Sequence, residues 1–570
     1  MRGGQAMLKV VERAGIDYIF SSPGSEWPPI WEALAEHSAR GGGKPSYINC
    51  RHEALAVAMA AGYTKVTGRP QLVLLHATAG PLNAAMLLRA ALHERTPMVI
   101  CSGEVAAYGE NTQVADPGGQ WLHDLTDLGG SPDLLRHCVK WSDRVASSAI
   151  LVSTLERAFH IAMEPPAGPV LIGVPFECMM EEVQLKEHNR ANEVVRPTDI
   201  DPHAIERAVN LIAAARNPLV LTEHVGSDAR AIERLVELCE LFALPVMESY
   251  RPAFVNFPRT HPLYLHYDPK AVESADLILM VDAVTPWYPA SKGPGGNARV
   301  ISIAEEFPNS RLPYWGYNVD LALAAPPAFT LEKLVQSARA SQTAAQRDSY
   351  EQRFALVREQ HERYRAKLAE DAKKHADDTP IDPRFLCHAL GEAIPENAVI
   401  TEETTVYRTL IQEAIPRDRP MSYFARITGG LGVGLGYALG VKLALRDRPM
   451  FVLIGDGAFH YNPVPSCLGV AEEYGLPIHI VVFNNQRYLS METSLLKYFP
   501  GGSAKSTGVH YGGPIAPSPD YQMYAKAHGG YGMRVTRPGD IKAAINESLR
   551  HEAAGQLSLI DLVLSDFNPR

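Results

Sequence analysis

Met450-Phe451-Val452-Leu453-Ile454-Gly455-Asp456-Gly457 and, after a helix-length spacer, Ile478-His479-Ile480-Val481-Val482-Phe483-Asn484-Asn485 are two short, mostly apolar runs, each stopping at a glycine or polar exit. Runs of this kind are strands buried on both faces, and two of them joined through a helix predict the crossover unit of a parallel α/β sheet. Ligands of such sheets gather beyond the carboxyl ends of the strands, so Asp456 and the Asn484-Asn485 pair stand where a site belongs. Gly455 and Gly457 let backbone N–H groups come close to phosphate oxygens. A diphosphate calls for a hard cation, and magnesium takes about six oxygens, mostly phosphate and water, completed here by one carboxylate and one amide. Taken singly, Gly-Asp-Gly is an ordinary turn and Asn-Asn an ordinary strand exit. Their occurrence at the ends of successive strands makes them a candidate cation–diphosphate site.

Outward from these runs, apolar strands alternate with helical patterns along the chain. Tyr18–Phe20, Leu72–Leu75, Met98–Cys101 and Val170–Ile172 read as strands of a first block, residues 1–182. Leu219–Leu221, Leu277–Val281 and Val300–Ile303 belong to a second, 198–335, after a polar linker. Residues 336–378, rich in Gln, Arg, Lys, Ala and Glu, predict a helical connector. Ala398–Ile400, the two opening runs and Leu559–Val563 fall in a third block, 379–570. The expected class is α/β, with three doubly wound parallel-sheet domains.

Bulk properties narrow the partners. The 570 residues carry a formal net charge of −10 and no long basic run, which argues against nucleic acid or an anionic membrane. Seven Cys without any Cys-x-x-Cys fit a reducing cytoplasm better than a disulfide framework. No apolar run suits a signal peptide or a membrane span. No Gly-x-Gly-x-x-Gly opens a strand–helix unit with an acid about twenty residues on, which excludes a dinucleotide-type dehydrogenase.

The Gly455–Asn485 segment resembles the cofactor motif of the thiamin-diphosphate-dependent decarboxylase and lyase superfamily, which includes benzoylformate decarboxylase, acetohydroxyacid synthase and 2-hydroxyacyl-CoA lyase. The resemblance covers nearly the whole chain and implies pyrimidine-binding, middle and pyrophosphate-binding domains in that order. It implies thiamin diphosphate and Mg2+, with Asp456, Asn485 and the backbone carbonyl of Arg487 as metal ligands and Gly455, Gly457 and Ala458 around the diphosphate. In Thr428-Gly429-Gly430-Leu431-Gly432, Leu431 matches the family's apolar wedge between the cofactor rings and Gly429 the carbonyl that meets the aminopyrimidine. Thr404 and Thr405 resemble contacts to diphosphate and substrate.

Arg51-His52-Glu53 precedes an amphipathic run, as the family's activating glutamate does, although a first-turn Glu also suits a helix dipole on its own. In the family that glutamate comes from another subunit, so a homodimer or homotetramer is implied. Ser25, in Pro23-Gly24-Ser25, and His76, at a strand exit, resemble substrate-facing residues of benzoylformate decarboxylase. That enzyme's second histidine has no evident counterpart; the matching exit reads Val284-Thr285-Pro286-Trp287-Tyr288-Pro289. Gln113–Asp116 and Cys138–Trp141 look more like acetohydroxyacid synthase, and the intervening Trp121, His123 and Leu125 form a candidate pocket wall. Glu492 is a candidate proton shuttle or a plain helix glutamate, and Met491 a candidate pocket residue. The implied activity is a non-oxidative C–C lyase acting on a small 2-oxo acid or 2-hydroxyacyl compound. The alternatives are a 2-hydroxyacyl-CoA lyase, an acetolactate-synthase-like carboligase and an inactive scaffold.

Overall fold

The computed structural model describes residues 1–22, 24–104, 129–185, 199–249, 252–309, 316–425 and 429–567. The Gln113–Asp116 stretch and the Trp121–Leu125 loop therefore lie outside the described residues, as do Pro23 and Thr428. Three six-stranded, all-parallel sheets carry the fold. The first holds β1 (Tyr18–Ser21), β2 (Ser46–Asn49), β3 (Gln71–Leu75), β4 (Met98–Glu104), β5 (Trp141–Arg144) and β6 (Pro169–Pro175). The second holds β7 (Pro218–Thr222), β8 (Val246–Glu248), β9 (Tyr264–Leu265), β10 (Leu277–Val281), β11 (Arg299–Ala304) and β12 (Leu321–Ala324). The third holds β13 (Val399–Glu403), β14 (Tyr423–Ala425), β15 (Met450–Gly455), β16 (His479–Asn484), β17 (Tyr531–Val535) and β18 (Ser558–Val563).

The first sheet runs β2-β1-β3-β4-β6-β5 and the third β14-β13-β15-β16-β18-β17. Renumbered from their own first strands, these are the same order. The two sheets are copies of one layout, a relation the sequence leaves invisible. Each reverses its winding between its first and third strands, and such a switch point opens a crevice at the strand ends. The middle sheet, β12-β11-β10-β7-β8-β9, follows the other doubly wound order.

Four helices matter most for the placing of functional side chains: α1 (Glu53–Thr67), α2 (Ala344–Lys373), α3 (Gly434–Ala444) and α4 (Leu489–Tyr498). Helix α1 leaves the end of β2, and α3 follows β14, so they occupy corresponding places. Both are buried nearly all round, as their continuous Ala, Gly, Leu and Val content demands. They pack on each other at backbone distance. A Cβ on Gly62 would lie 2.2 Å from the Tyr437 carbonyl oxygen, and one on Gly440 2.1 Å from that of Met59. At the far end of α1, Lys65 pairs with Glu94 at 2.6 Å and sits over the rings of Phe254 and Tyr437. One buried cation thus ties all three sheets' layers together. The expected connector is a helix, Pro327–Ser341, followed by the 30-residue α2. All seven cysteines are free, and no described helix is long and apolar enough to cross a membrane.

Gly440→Ala forces a methyl into the Met59 carbonyl and is expected to lower stability by about 1–3 kcal/mol in urea titration. An unchanged midpoint would mean that α1 and α3 are not in backbone contact.

Candidate active site

At the third sheet's switch point, β13 ends at Glu403, opposite Ile454 of β15, and Asp456 follows β15 directly. Asp456 is 2% exposed; its Oδ1 accepts the Gly457 N–H at 2.8 Å and its Oδ2 the Gln486 N–H at 2.6 Å. Burial pushes its carboxyl up to about 6, against the pull of these donors. Strand β16 then ends in two asparagines with different tasks. Asn484 is fully buried and donates to Asp561 at 2.7 Å. Asn485 stands beyond it: its Oδ1 accepts the Arg487 N–H at 3.1 Å, and its Nδ2 donates to the Tyr407 hydroxyl at 2.8 Å. Gln486 between them has φ 59°, a sharp turn that folds the chain back over Asp456.

This donor set fits a diphosphate-bound divalent cation. It offers hard oxygens only, one of them from a buried carboxylate, and space beside Gly455 and Gly429, where an added Cβ would meet no described residue. Ala458 is buried in the short helix that begins at Asp456.

Glu403 opens the segment whose resemblance implies contacts to diphosphate and substrate, but the structure gives its side chain a different partner set. Its buried carboxylate accepts the N–H groups of Gly432, Val433 and Gly434 at 2.8–3.0 Å, and the Asn462 amide at 2.9 Å. It thereby caps α3 and pins the turn that carries Leu431, which packs against the first core. Gly432 in that turn has φ +96°, open to glycine alone. Thr404 is buried and bonded to Glu402, whereas Thr405 is exposed.

The first sheet's switch point holds the other half. Glu53 opens α1 behind His52, whose Nδ1 accepts the Ala54 N–H at 3.1 Å as the helix N-cap. The Glu53 carboxylate accepts from Ser22 Oγ at 3.0 Å and Asn83 Nδ2 at 2.7 Å. Ser25 is exposed and makes no such bond; Ser22, on the same turn, reaches Glu53 instead. His76, at the exit of β3, pairs through Nδ1 with Glu26 at 2.9 Å. Three residues beyond Asn83, Met86 abuts Gly430 of the Leu431 turn.

Helix α4 follows the Asn485 turn. Met491 is 58% exposed; Glu492 lies 3.4 Å from Arg487 and 3.6 Å from His510. The Val284 segment is held by Glu223, which accepts the Val284 and Thr285 N–H groups. The neighbouring His224 is buried, and burial pushes its imidazole down, so it offers no charge to this cleft.

Three family models match in series: the N-terminal TPP binding domain of thiamine pyrophosphate enzymes at residues 1–127, their central domain at 205–334 and their C-terminal TPP binding domain at 403–562. The chain belongs to the thiamin-diphosphate-dependent enzymes, in their decarboxylase and carboligase branch. Benzoylformate decarboxylase of Pseudomonas aeruginosa is similar at 26% identity over 99% of each chain. Acetolactate synthase isozyme 3 large subunit of Escherichia coli is 25% identical over 99% of this chain and 95% of its own. The fold also matches a solved 4-hydroxybenzoylformate decarboxylase of Rhodococcus jostii RHA1, with TM-score 0.80, 24% identity and full coverage of both chains.

Removing the Glu403 carboxylate by Glu403→Ala leaves three buried backbone donors unsatisfied, each costing about 1–3 kcal/mol. The amides of Gly432, Val433 and Gly434 are expected to lose protection first in hydrogen exchange. Protection retained there would remove Glu403 from this role.

Proposed function

We propose that the protein is a thiamin-diphosphate- and magnesium-dependent C–C lyase that decarboxylates a 2-oxo acid without oxidation. The observation that carries this reading is the Glu53 carboxylate, held by Ser22 and Asn83 at the start of a buried helix. When bound, thiamin diphosphate supplies a carbon nucleophile and a cationic ring that takes up the electron pair of the broken bond. Glu53 holds or releases a proton at the cofactor's pyrimidine. Asp456, Asn485 and the Arg487 carbonyl hold the cation, and Leu431 and the Gly429 carbonyl orient the cofactor. Gly455, Gly457 and Ala458, with Thr404 and Thr405, border its diphosphate. His76 and Ser25 face the substrate, Glu492 moves a proton to product, and Met491 walls the pocket.

The 26% identity to a benzoylformate decarboxylase over the full chain favours a 2-oxo acid. The 25% identity to an acetolactate synthase subunit favours, as second reading, capture of the intermediate by another carbonyl. Purified protein with thiamin diphosphate and magnesium is expected to release carbon dioxide and aldehyde from benzoylformate or pyruvate. Acetolactate as sole product would establish the carboligase instead, and formyl-CoA from a 2-hydroxyacyl-CoA alone would establish the acyl-CoA lyase. Glu53→Gln is expected to lower kcat by roughly 10²–10⁴-fold, the worth of a general acid–base step. Turnover within about threefold of the parent would overturn the assigned role.

The cation must bind an ionised Asp456. Since burial raises this carboxyl to about 6, it is protonated below that pH and free to ligate above it. Magnesium affinity, measured by calorimetry with thiamin diphosphate present, is expected to fall about tenfold per pH unit below about 6 and to level off above. A flat profile would remove Asp456 as ligand. For assembly we propose a homodimer or homotetramer with active sites between subunits, acting in the cytoplasm. Mixing inactive Glu53→Gln and Asp456→Ala chains regains activity only if the two halves come from different subunits.

A further inference from the structure

Glu26 is a carboxylate in an unusual place. It is 3% exposed, lies in the turn after β1, and faces His76 from the turn after β3, fifty residues away. The His76 Nδ1 is 2.9 Å from both of its carboxylate oxygens. Glycines on two separate segments make room for the pair. A Cβ on Gly24 would lie 2.4 Å from Glu26 Oε2 and 2.8 Å from His76 Nδ1, and one on Gly103 2.7 Å from the Glu26 Cβ. Neither glycine has positive φ, so neither is there for a turn; both are there for space. A buried carboxylate without a donor is costly, and among the described residues His76 Nδ1–H is the donor this one has.

The geometry points to Glu26 as the positioning residue that keeps His76 an imidazolium, with Nδ1–H on Glu26 and Nε2–H presented to an anionic substrate. The inference rests on the proposed reading of this cleft as the substrate site. Among the described residues, His76 Nε2 makes no hydrogen bond, and the side chain is 29% exposed, so that edge of the ring is open. The charged groups acting on the imidazole are Glu26, on the β1 turn, and Glu53, on α1; both favour its protonated form. Burial works the other way, and the hydrogen bond that His76 donates to Glu26 outweighs it, raising the imidazole above its ordinary value. A fixed cation beside the reacting carbonyl suits a substrate whose carboxylate adjoins it, as in a 2-oxo acid, and gives nothing to a neutral acyloin or aldehyde. Glu26 itself touches no reacting atom; it acts through His76.

Histidine-ring NMR on the intact protein, with His76→Gln to assign the signal, tests the pair without requiring turnover. His76 is expected to titrate above about 6.5 in the parent and lower in Glu26→Gln, where burial opposes the charge and only Glu53 still favours it. Glu26→Asp, which keeps the charge, is expected to restore much of the shift. A parent His76 at or below 6.5, or one unmoved by Glu26→Gln, overturns the inference whatever the enzyme's substrate. The second readout is benzoylformate binding followed on the same signal. Its affinity is expected to fall as pH rises through the His76 titration, and to do so at correspondingly lower pH in Glu26→Gln. Binding that ignores this titration, or no binding, overturns the role in substrate choice while leaving the pairing to the first measurement.

Discussion

The contact between α1 and α3 governs the rest of the molecule. Two helices from separate sheets meet at backbone distance because Gly62 and Gly440 carry no side chain there. Such an approach leaves no slack, so the helix starts are fixed relative to each other as firmly as their axes. Glu53 stands at one start and the Glu403-capped turn of Leu431 at the other. The Lys65–Glu94 pair, roofed by Phe254 and Tyr437, locks the opposite end of α1. Small residues bring the helices together, and a buried charge holds them in register.

The polar chemistry is likewise built from buried carboxylates, each answered differently. Glu403 is satisfied by backbone donors and serves as a cap. Glu53 is held by a hydroxyl and an amide. Glu26 is answered by a titratable ring. Asp456 receives backbone N–H groups, including those of Gly457 and Gln486, and burial still raises its carboxyl. Switch points of parallel sheets allow this variety, because neighbouring strands end there without a crossover helix filling the crevice.

Strand recognition from the sequence succeeded where strands are central and failed at the margins. β3, β4, β6, β10, β15, β16 and β18 are buried along almost their whole length, and their apolar runs announce them. The strands it missed are the six sheet edges and β8 beside one of them. β2, β5, β12 and β17 are partly exposed and of mixed composition, while β8, β9 and β14 have only two or three residues. Hydrophobic patterning reports burial, and an edge has less of it to report.

Asp456, Asn485 and Glu53 were legible because each sits at the end of an element whose own pattern is clear. Glu26, Ser22, Asn83, Asn462 and Tyr407 were not, since each acquires its meaning from a partner between about thirty and eighty residues away. A buried acid looks like a surface acid in a sequence, because only its neighbours in space reveal which it is. Local patterning therefore determined the layer architecture and suggested a cation–diphosphate site, and the motifs' resemblance to a known family implied the cofactor class. The tertiary structure alone decided which asparagine is structural, which serine reaches Glu53 and which carboxylate controls His76. Hydrogen bonds depend on ångström distances between side chains, and those distances exist only after the helices have packed.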